Sequence, residues 1–157
     1  MKRRRREGKT DYRLRLGLLR SGKPRLVVRF SIRRALVQFV DYQPAGDRII
    51  ASASSPQLTA YGWSGSGSNT PAAYFTGLLA GRRAYQAGLR EANLDISRAT
   101  PSKGSKVFAV VRGVLDAGIQ VPCKEDMLPS PERIRGEHLS KKPKDWEDVK
   151  TRIMEQG

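Results

Sequence analysis

The chain has 157 residues and a formal net charge of +15 at pH 7, with 30 Lys and Arg against 15 Asp and Glu. That length suits one domain with a modest core, and so large a surplus makes the compact state repel itself unless a polyanion screens it, so a phosphate-rich partner is expected. A single cysteine, Cys123, excludes an internal disulfide framework and a multi-cysteine zinc site and fits a reducing cytoplasm.

No run approaches the roughly 20 apolar residues of a bilayer span, and the N-terminus lacks the apolar core of a secretory signal, which predicts a soluble, cytoplasmic protein with no membrane partner. The charge is also lopsided. Up to Arg34 there are fourteen Lys and Arg residues against Glu7 and Asp11, a surplus of twelve out of fifteen. One region of a near-ordinary domain is therefore specialised for the anion.

Residues 1–10 carry Lys2, Arg3, Arg4, Arg5, Arg6 and Lys9 and no aliphatic residue after Met1. With nothing to bury, they are expected to be a disordered arm that orders on its partner. A solvated charge run or a targeting signal is the blander reading. From Asp11, an N-cap, Leu14, Leu18 and Leu19 fall at helical spacing among Arg13, Arg15 and Arg20, until Ser21-Gly22 and Pro24 stop a short basic helix.

Leu26, Val28, Phe30 and Ile32 then alternate with Arg25, Arg29 and Ser31, the period of a strand with one buried face and two arginines on the other. Residues 35–42 and 48–53, separated by Pro44-Ala45-Gly46-Asp47, complete an antiparallel meander. A short helix over residues 56–61 leads into Gly62-Trp63-Ser64-Gly65-Ser66-Gly67-Ser68-Asn69, a surface loop.

Thr70 and Pro71 read as N-cap and first helical residue of a long helix with Tyr74, Leu78, Gly81, Tyr85 and Leu89 on one face, and Gly77 and Gly81 are expected to let it sit close to the sheet. Residues 94–96 read as a short buried strand. A second helix carries Val107, Val110, Val111, Val114 and Leu115, and residues 119–121 return to the sheet. The tail from Pro129 reads as peripheral, with a charged helix from Asp145.

Crossover helices after a meander predict an α/β three-layer sandwich with a mixed sheet, a basic disordered N-terminal arm and a peripheral helical tail. The expected divisions are the arm at 1–10, the α/β RNA-binding domain at 11–128 and a C-terminal extension at 129–157.

Positive charge runs from the arm through Arg13, Arg15, Arg20 and Lys23 to Arg25, Arg29, Arg33 and Arg34, which predicts one continuous basic surface tracking a phosphate backbone. Arginine predominates, and its planar guanidinium both grips phosphate and stacks on unpaired bases, the two targets that folded RNA offers. In the glycine-serine loop, Trp63 either stacks on a base or anchors the loop to the core, and composition does not choose between them.

Two nucleotide-binding decoys fail. Gly8-Lys9-Thr10 lacks the upstream glycine and strand of a P-loop, and Gly65-Ser66-Gly67 has Thr70 at the third glycine position of a dinucleotide fingerprint. His138 is the single histidine and Cys123 has no activating context, so the chain is read as no enzyme and as needing no cofactor. The enzymatic alternative is a Mg²⁺-dependent nucleic-acid-processing enzyme on a ribonuclease-H-like sheet, which needs Asp41, Asp95 and Asp116 to converge.

Arg3-Arg4-Arg5-Arg6-Glu7-Gly8-Lys9-Thr10-Asp11-Tyr12-Arg13 and Ser21-Gly22-Lys23-Pro24-Arg25 open an ordered series of motifs. It continues through Gly62-Trp63, Gly67-Ser68-Asn69-Thr70-Pro71, Lys103-Gly104-Ser105-Lys106, Asp116-Ala117-Gly118 and Pro131-Glu132-Arg133-Ile134-Arg135-Gly136-Glu137-His138. Together they resemble the archaeal and eukaryotic branch of the 5S-rRNA-binding protein of the large ribosomal subunit, the L-eighteen family, over roughly residues 3–140.

The resemblance implies a three-layer α/β fold that binds 5S rRNA, contacts large-subunit rRNA and sits in the central protuberance beside other 5S-binding and central-protuberance ribosomal proteins. It implies RNA contacts at the arm, Thr10, Tyr12 and Arg13, in the loop at Trp63, Ser64, Ser66 and Asn69, and at Lys103, Ser105 and Lys106 beside a helix N-terminus. Arg133, Arg135 and His138 extend the set. Cys123 stands where the family pattern has histidine, and residues 141–157 are not covered by the resemblance.

Overall fold

The computed structural model describes residues 3–8, 10–97, 99–140 and 146–156. Helix α1, Arg3–Arg6, is one turn whose four arginines bury nothing. Helix α2, Tyr12–Arg20, begins where the sequence places it: the Asp11 carboxylate accepts the backbone N–H groups of Arg13 and Leu14 at 2.9 and 3.2 Å, satisfying donors that a first turn leaves without partners. No residue of α2 is buried.

Strands β1 (Arg25–Phe30), β2 (Ala35–Asp41) and β3 (Arg48–Ser54) form the expected antiparallel meander, and β4 (Asn93–Asp95) runs parallel to β1, giving the order β3-β2-β1-β4. Leu26 faces Phe39 and Val28 faces Val37 across β1 and β2, and Phe39 and Val37 meet Ala51 and Ala53 on β3. These side chains form the inner apolar face.

Two expectations fail here. The first strand stops at Phe30, where Ser31 and Arg34 close a hairpin turn, so Ile32 stands 93 % exposed at the tip instead of joining the buried face. Residues 119–121 supply one parallel bridge, Gln120 to Glu91, rather than a strand, although Ile119 and Val121 are buried.

Helix α3, Thr70–Gln86, crosses the inner face over β2 and β3, and α4, Lys106–Asp116, packs along it. The α3 cap is Asn69, not Thr70: its side-chain oxygen accepts the Ala72 N–H at 2.9 Å, and Thr70 and Pro71 lie in the first turn. Gly77 and Gly81 serve the helix pair rather than the sheet. A Cβ on Gly77 would lie 2.3 Å from the Val110 carbonyl oxygen, one on Gly81 would lie 2.6 Å from Ala117 Cβ, and one on Gly113 of α4 would lie 2.2 Å from the Tyr74 carbonyl oxygen.

A 3-10 turn over Ser55–Tyr61 and the short helix α5, Pro131–Arg135, complete the periphery. Helix α6, Trp146–Gln156, lies on α3 and sends Val149 and Ile153, both 0 % exposed, into the core, so this part of the tail adds to the core. The Trp146 ring stacks on Tyr74 at 5.7 Å. The predicted start of this helix at Asp145 lies outside the described residues.

The opposite face of β1, bearing Arg25, Val27 and Arg29, turns toward α2, and Leu14, Arg15 and Leu19 line the space between them. Helix α2, the sheet and the α3/α4 pair are thus stacked as the expected α/β layers. Among the described residues no helix is long and apolar enough to cross a membrane.

Candidate nucleic-acid interface

The fold gathers the predicted contacts into separate groups. In the first, Arg4 Nε donates to Thr10 Oγ1 at 3.0 Å. Arg4, Thr10, Tyr12, Arg15, Arg25 and Arg29 line an open cavity of about 730 Å³ between arm, α2 and sheet. Arg13 and Arg20 are exposed on α2, and exposed Lys23 reaches Glu91 at 2.7 Å. Lys2 and Lys9 lie outside the described residues.

Two of these arginines are engaged by carboxylates within the protein. Arg25, expected on the exposed face of its strand, is 3 % exposed: its Nη1 donates to Asp95 Oδ2 at 2.8 Å and its Nη2 to Asp47 Oδ2 at 2.7 Å. A guanidinium carried on a strand covered on both faces needs such carboxylates, because an unpaired buried charge is strongly disfavoured. Arg15 Nη2 donates to both oxygens of Asp47 at 2.9 Å. Sequence reasoning missed Asp47 and Asp95 as functional partners, and no local pattern reveals them, since Asp95 lies 70 positions from Arg25.

The second group is the hairpin tip and the glycine-serine loop. Arg29, Arg33 and Arg34 are exposed, as are Ser64 and Ser66. A Cβ on Gly67 would come within 2.9 Å of the Arg33 carbonyl oxygen, so the loop lies directly against the hairpin.

Trp63 is the core anchor and not a platform for a base. It is 4 % exposed, its ring meets Phe75 edge-on at 5.3 Å, and its Nε1 donates to the Ser66 carbonyl at 3.3 Å. Ring burial and an indole N–H satisfied within the loop favour this outcome. Asn69 spends its side-chain oxygen on the α3 cap.

A third group lies at the start of α4, where Lys103, Ser105 and Arg133 line a cleft of about 660 Å³ together with Glu125 and Asp126. Lys106 is exposed as the first residue of α4. Exposed Arg135 approaches the Trp146 ring at 5.9 Å, and exposed His138 follows α5. Neither lines that cleft.

Two of the three carboxylates of the enzymatic alternative, Asp95 and Asp116, are engaged in different places. Asp95 serves Arg25 and the Ser97 N–H, while Asp116 accepts the Tyr74 hydroxyl at 2.8 Å and pairs with Arg112 at 3.2 Å. Among the described residues no three His, Cys, Asp or Glu side chains group closely enough to hold a metal ion. Burial pushes the Cys123 thiol pKa up, away from the reactive thiolate.

Comparison with known proteins assigns this arrangement to a family. Residues 1–90 match the family described as ribosomal large subunit proteins 60S L5 and 50S L18. The large ribosomal subunit protein uL18 of Korarchaeum cryptofilum is 55 % identical over 138 residues, 88 % of this chain and 71 % of that protein. The chain belongs to the uL18 family.

The uL18 protein of Aeropyrum pernix is 52 % identical over 139 residues, 88 % of this chain and 65 % of its own length. That of Natronomonas pharaonis is 52 % identical over 146 residues, 93 % of this chain and 79 % of its own. Membership in the uL18 family gives the chain a structural role in the large ribosomal subunit, where the anion is rRNA. The family match spans arm, α2, the meander, the loop and α3, and so covers the first two groups of basic residues whole.

Proposed function

We propose that this uL18-family chain binds 5S rRNA and helps attach it to the large-subunit rRNA in the central protuberance, beside neighbouring 5S-binding ribosomal proteins, as a structural component and not as an enzyme. The observation that carries this reading is the run of exposed arginines from the arm through Arg13 and Arg20 of α2 to Arg29, Arg33 and Arg34 at the hairpin. Guanidinium groups spread along one arm, one helix and one hairpin suit a folded RNA, whose phosphates they bridge and whose unpaired bases they stack on. The cytoplasmic ribosome is the site of action under this reading.

Phosphate neutralisation releases counterions, so affinity for 5S rRNA should fall by roughly three to five decades between about 50 and 200 mM salt if about 6 to 10 phosphates are engaged. Competition binding against unrelated RNAs of equal length, repeated across salt, tests both parts. Equal affinity for all RNAs would remove the 5S assignment, and a flat salt response would remove the mechanism.

A further inference from the structure

Helix α2 has no buried residue, yet it carries charge that the proposed function requires. At 100° per residue, Arg13 and Arg20 fall on the side opposite Arg15. The half-buried residues of α2 are Tyr12, Arg15, Leu18 and Leu19, whereas Arg13 and Arg20 are exposed. Arg15 therefore faces the sheet while the other two arginines face solvent.

What Arg15 meets there is the head of an ionic chain. Its Nη2 donates to both Asp47 oxygens at 2.9 Å. Asp47 Oδ2 also accepts from Arg25 Nη2 at 2.7 Å, and Arg25 Nη1 donates to Asp95 Oδ2 at 2.8 Å. Asp95 Oδ1 in turn accepts the Ser97 N–H at 2.9 Å. Two guanidinium groups and two carboxylates alternate from α2 through the turn between β2 and β3, across β1, to the end of β4.

The inner links are buried, with side-chain exposure of 4 % at Arg25 and 10 % at Asp95, and the outer link is 31 % exposed at Arg15 and 30 % at Asp47. The chain is thus fixed at its core end and wetted at its helix end. At the far end of α2, Asn93 Nδ2 donates to Ser21 Oγ at 2.7 Å, a second tie between the helix and the sheet.

Building on the RNA-binding reading, we propose that Asp47 is a positioning residue that holds α2 on the sheet through Arg15, so that Arg13 and Arg20 meet RNA phosphates in a fixed orientation. Arg15 and Arg25 are then internal struts, and their charge is spent within the protein. Electrostatics alone and positioning predict opposite signs for one substitution. Asp47→Asn adds positive charge to a polyanion-binding surface, which by itself tightens RNA binding. Loss of the strut weakens it, about tenfold if the docked helix falls to roughly a tenth of the population.

The experiment uses the full chain as Asp47→Asn, with amide hydrogen exchange on the free protein and 5S rRNA affinity measured at several salt concentrations. Expected are faster exchange over residues 14–20, unchanged protection of β1, and weaker binding at every salt concentration. Unchanged exchange over residues 14–20, or tighter binding, overturns the proposal.

If Asp47→Asn lowers the global stability as well, Arg15→Gln separates the effects, because it leaves the Asp95–Arg25–Asp47 links intact. That variant must show the same local gain in exchange, and protection at the wild-type level overturns the strut. Should wild-type protein fail to prefer 5S rRNA, the proposed function falls while the exchange measurement still decides whether the chain positions α2.

Discussion

Gly113→Ala tests how closely α3 and α4 approach, because two effects of known size oppose each other. Inside a helix the change is favourable by about 1 kcal/mol, through the lost backbone freedom of glycine in the unfolded chain. The added methyl, however, would sit 2.2 Å from the Tyr74 carbonyl oxygen and 2.7 Å from the Leu78 nitrogen. Both are backbone atoms that no rotamer change can move aside, so the helices must separate, and overpacking of this kind costs typically about 1–3 kcal/mol, occasionally more.

With obstacles of that kind the upper end applies, and the net loss is about 2 kcal/mol, a fall in Tm of roughly 4–8 °C for a chain of this size. Gly17→Ala is the internal control. It lies within α2 with nothing within 4 Å of its built Cβ, so only the favourable effect acts. Thermal unfolding followed by circular dichroism at fixed protein and salt concentration compares the two. A Tm for Gly113→Ala equal to or above wild type would refute the claim that the two backbones touch.

Deleting residues 1–10 should lower RNA affinity and flatten its salt dependence while leaving Tm unchanged, since α1 buries nothing; a Tm drop of several degrees would make the arm structural. Tyr74 gives a pH prediction. Burial, and then the adjacent Asp116 carboxylate, push its phenol pKa well above the ordinary value. The folded state therefore keeps a proton that the unfolded state releases above about pH 10, and the stability carried by this group is complete below that pH and lost as pH rises beyond it. Tyr74→Phe should cost roughly 1 kcal/mol at neutral pH, and its deficit relative to wild type should shrink above about pH 10. A deficit constant to high pH would refute the linkage.

The order of elements was legible because their periods differ: Leu26, Val28 and Phe30 at period two, and Val107, Val110, Val111 and Val114 at helical spacing. Errors arose where a partner distant in sequence decided the outcome. Arg25 reads as an outward residue until Asp47 and Asp95 arrive beside it. Gly77 reads as a sheet contact until Val110 packs against it. Ile32 fits the strand period, but a hairpin turn reverses the chain before that residue is reached.

For the candidate interface, the charge asymmetry singled out the N-terminal region, yet a count of arginines cannot tell those turned outward from those paired internally. Arg13 and Arg15 differ by two positions and meet opposite surroundings. Trp63 was equally undecided from composition, because an indole beside glycines serves either as an anchor or as a platform, and only its contact with Phe75 settles which.

That anchoring has a consequence for recognition. With Trp63 plugged beneath it, Gly67 against the hairpin and Asn69 bound into the cap of α3, residues 62–70 already have a shape before any nucleic acid arrives. If that stretch meets RNA under the proposed function, the entropy of ordering it is borne by folding of the core and the encounter need not supply it. Substitutions under the loop would then weaken association without touching a single contacting atom, chiefly through a slower productive encounter rather than a faster departure.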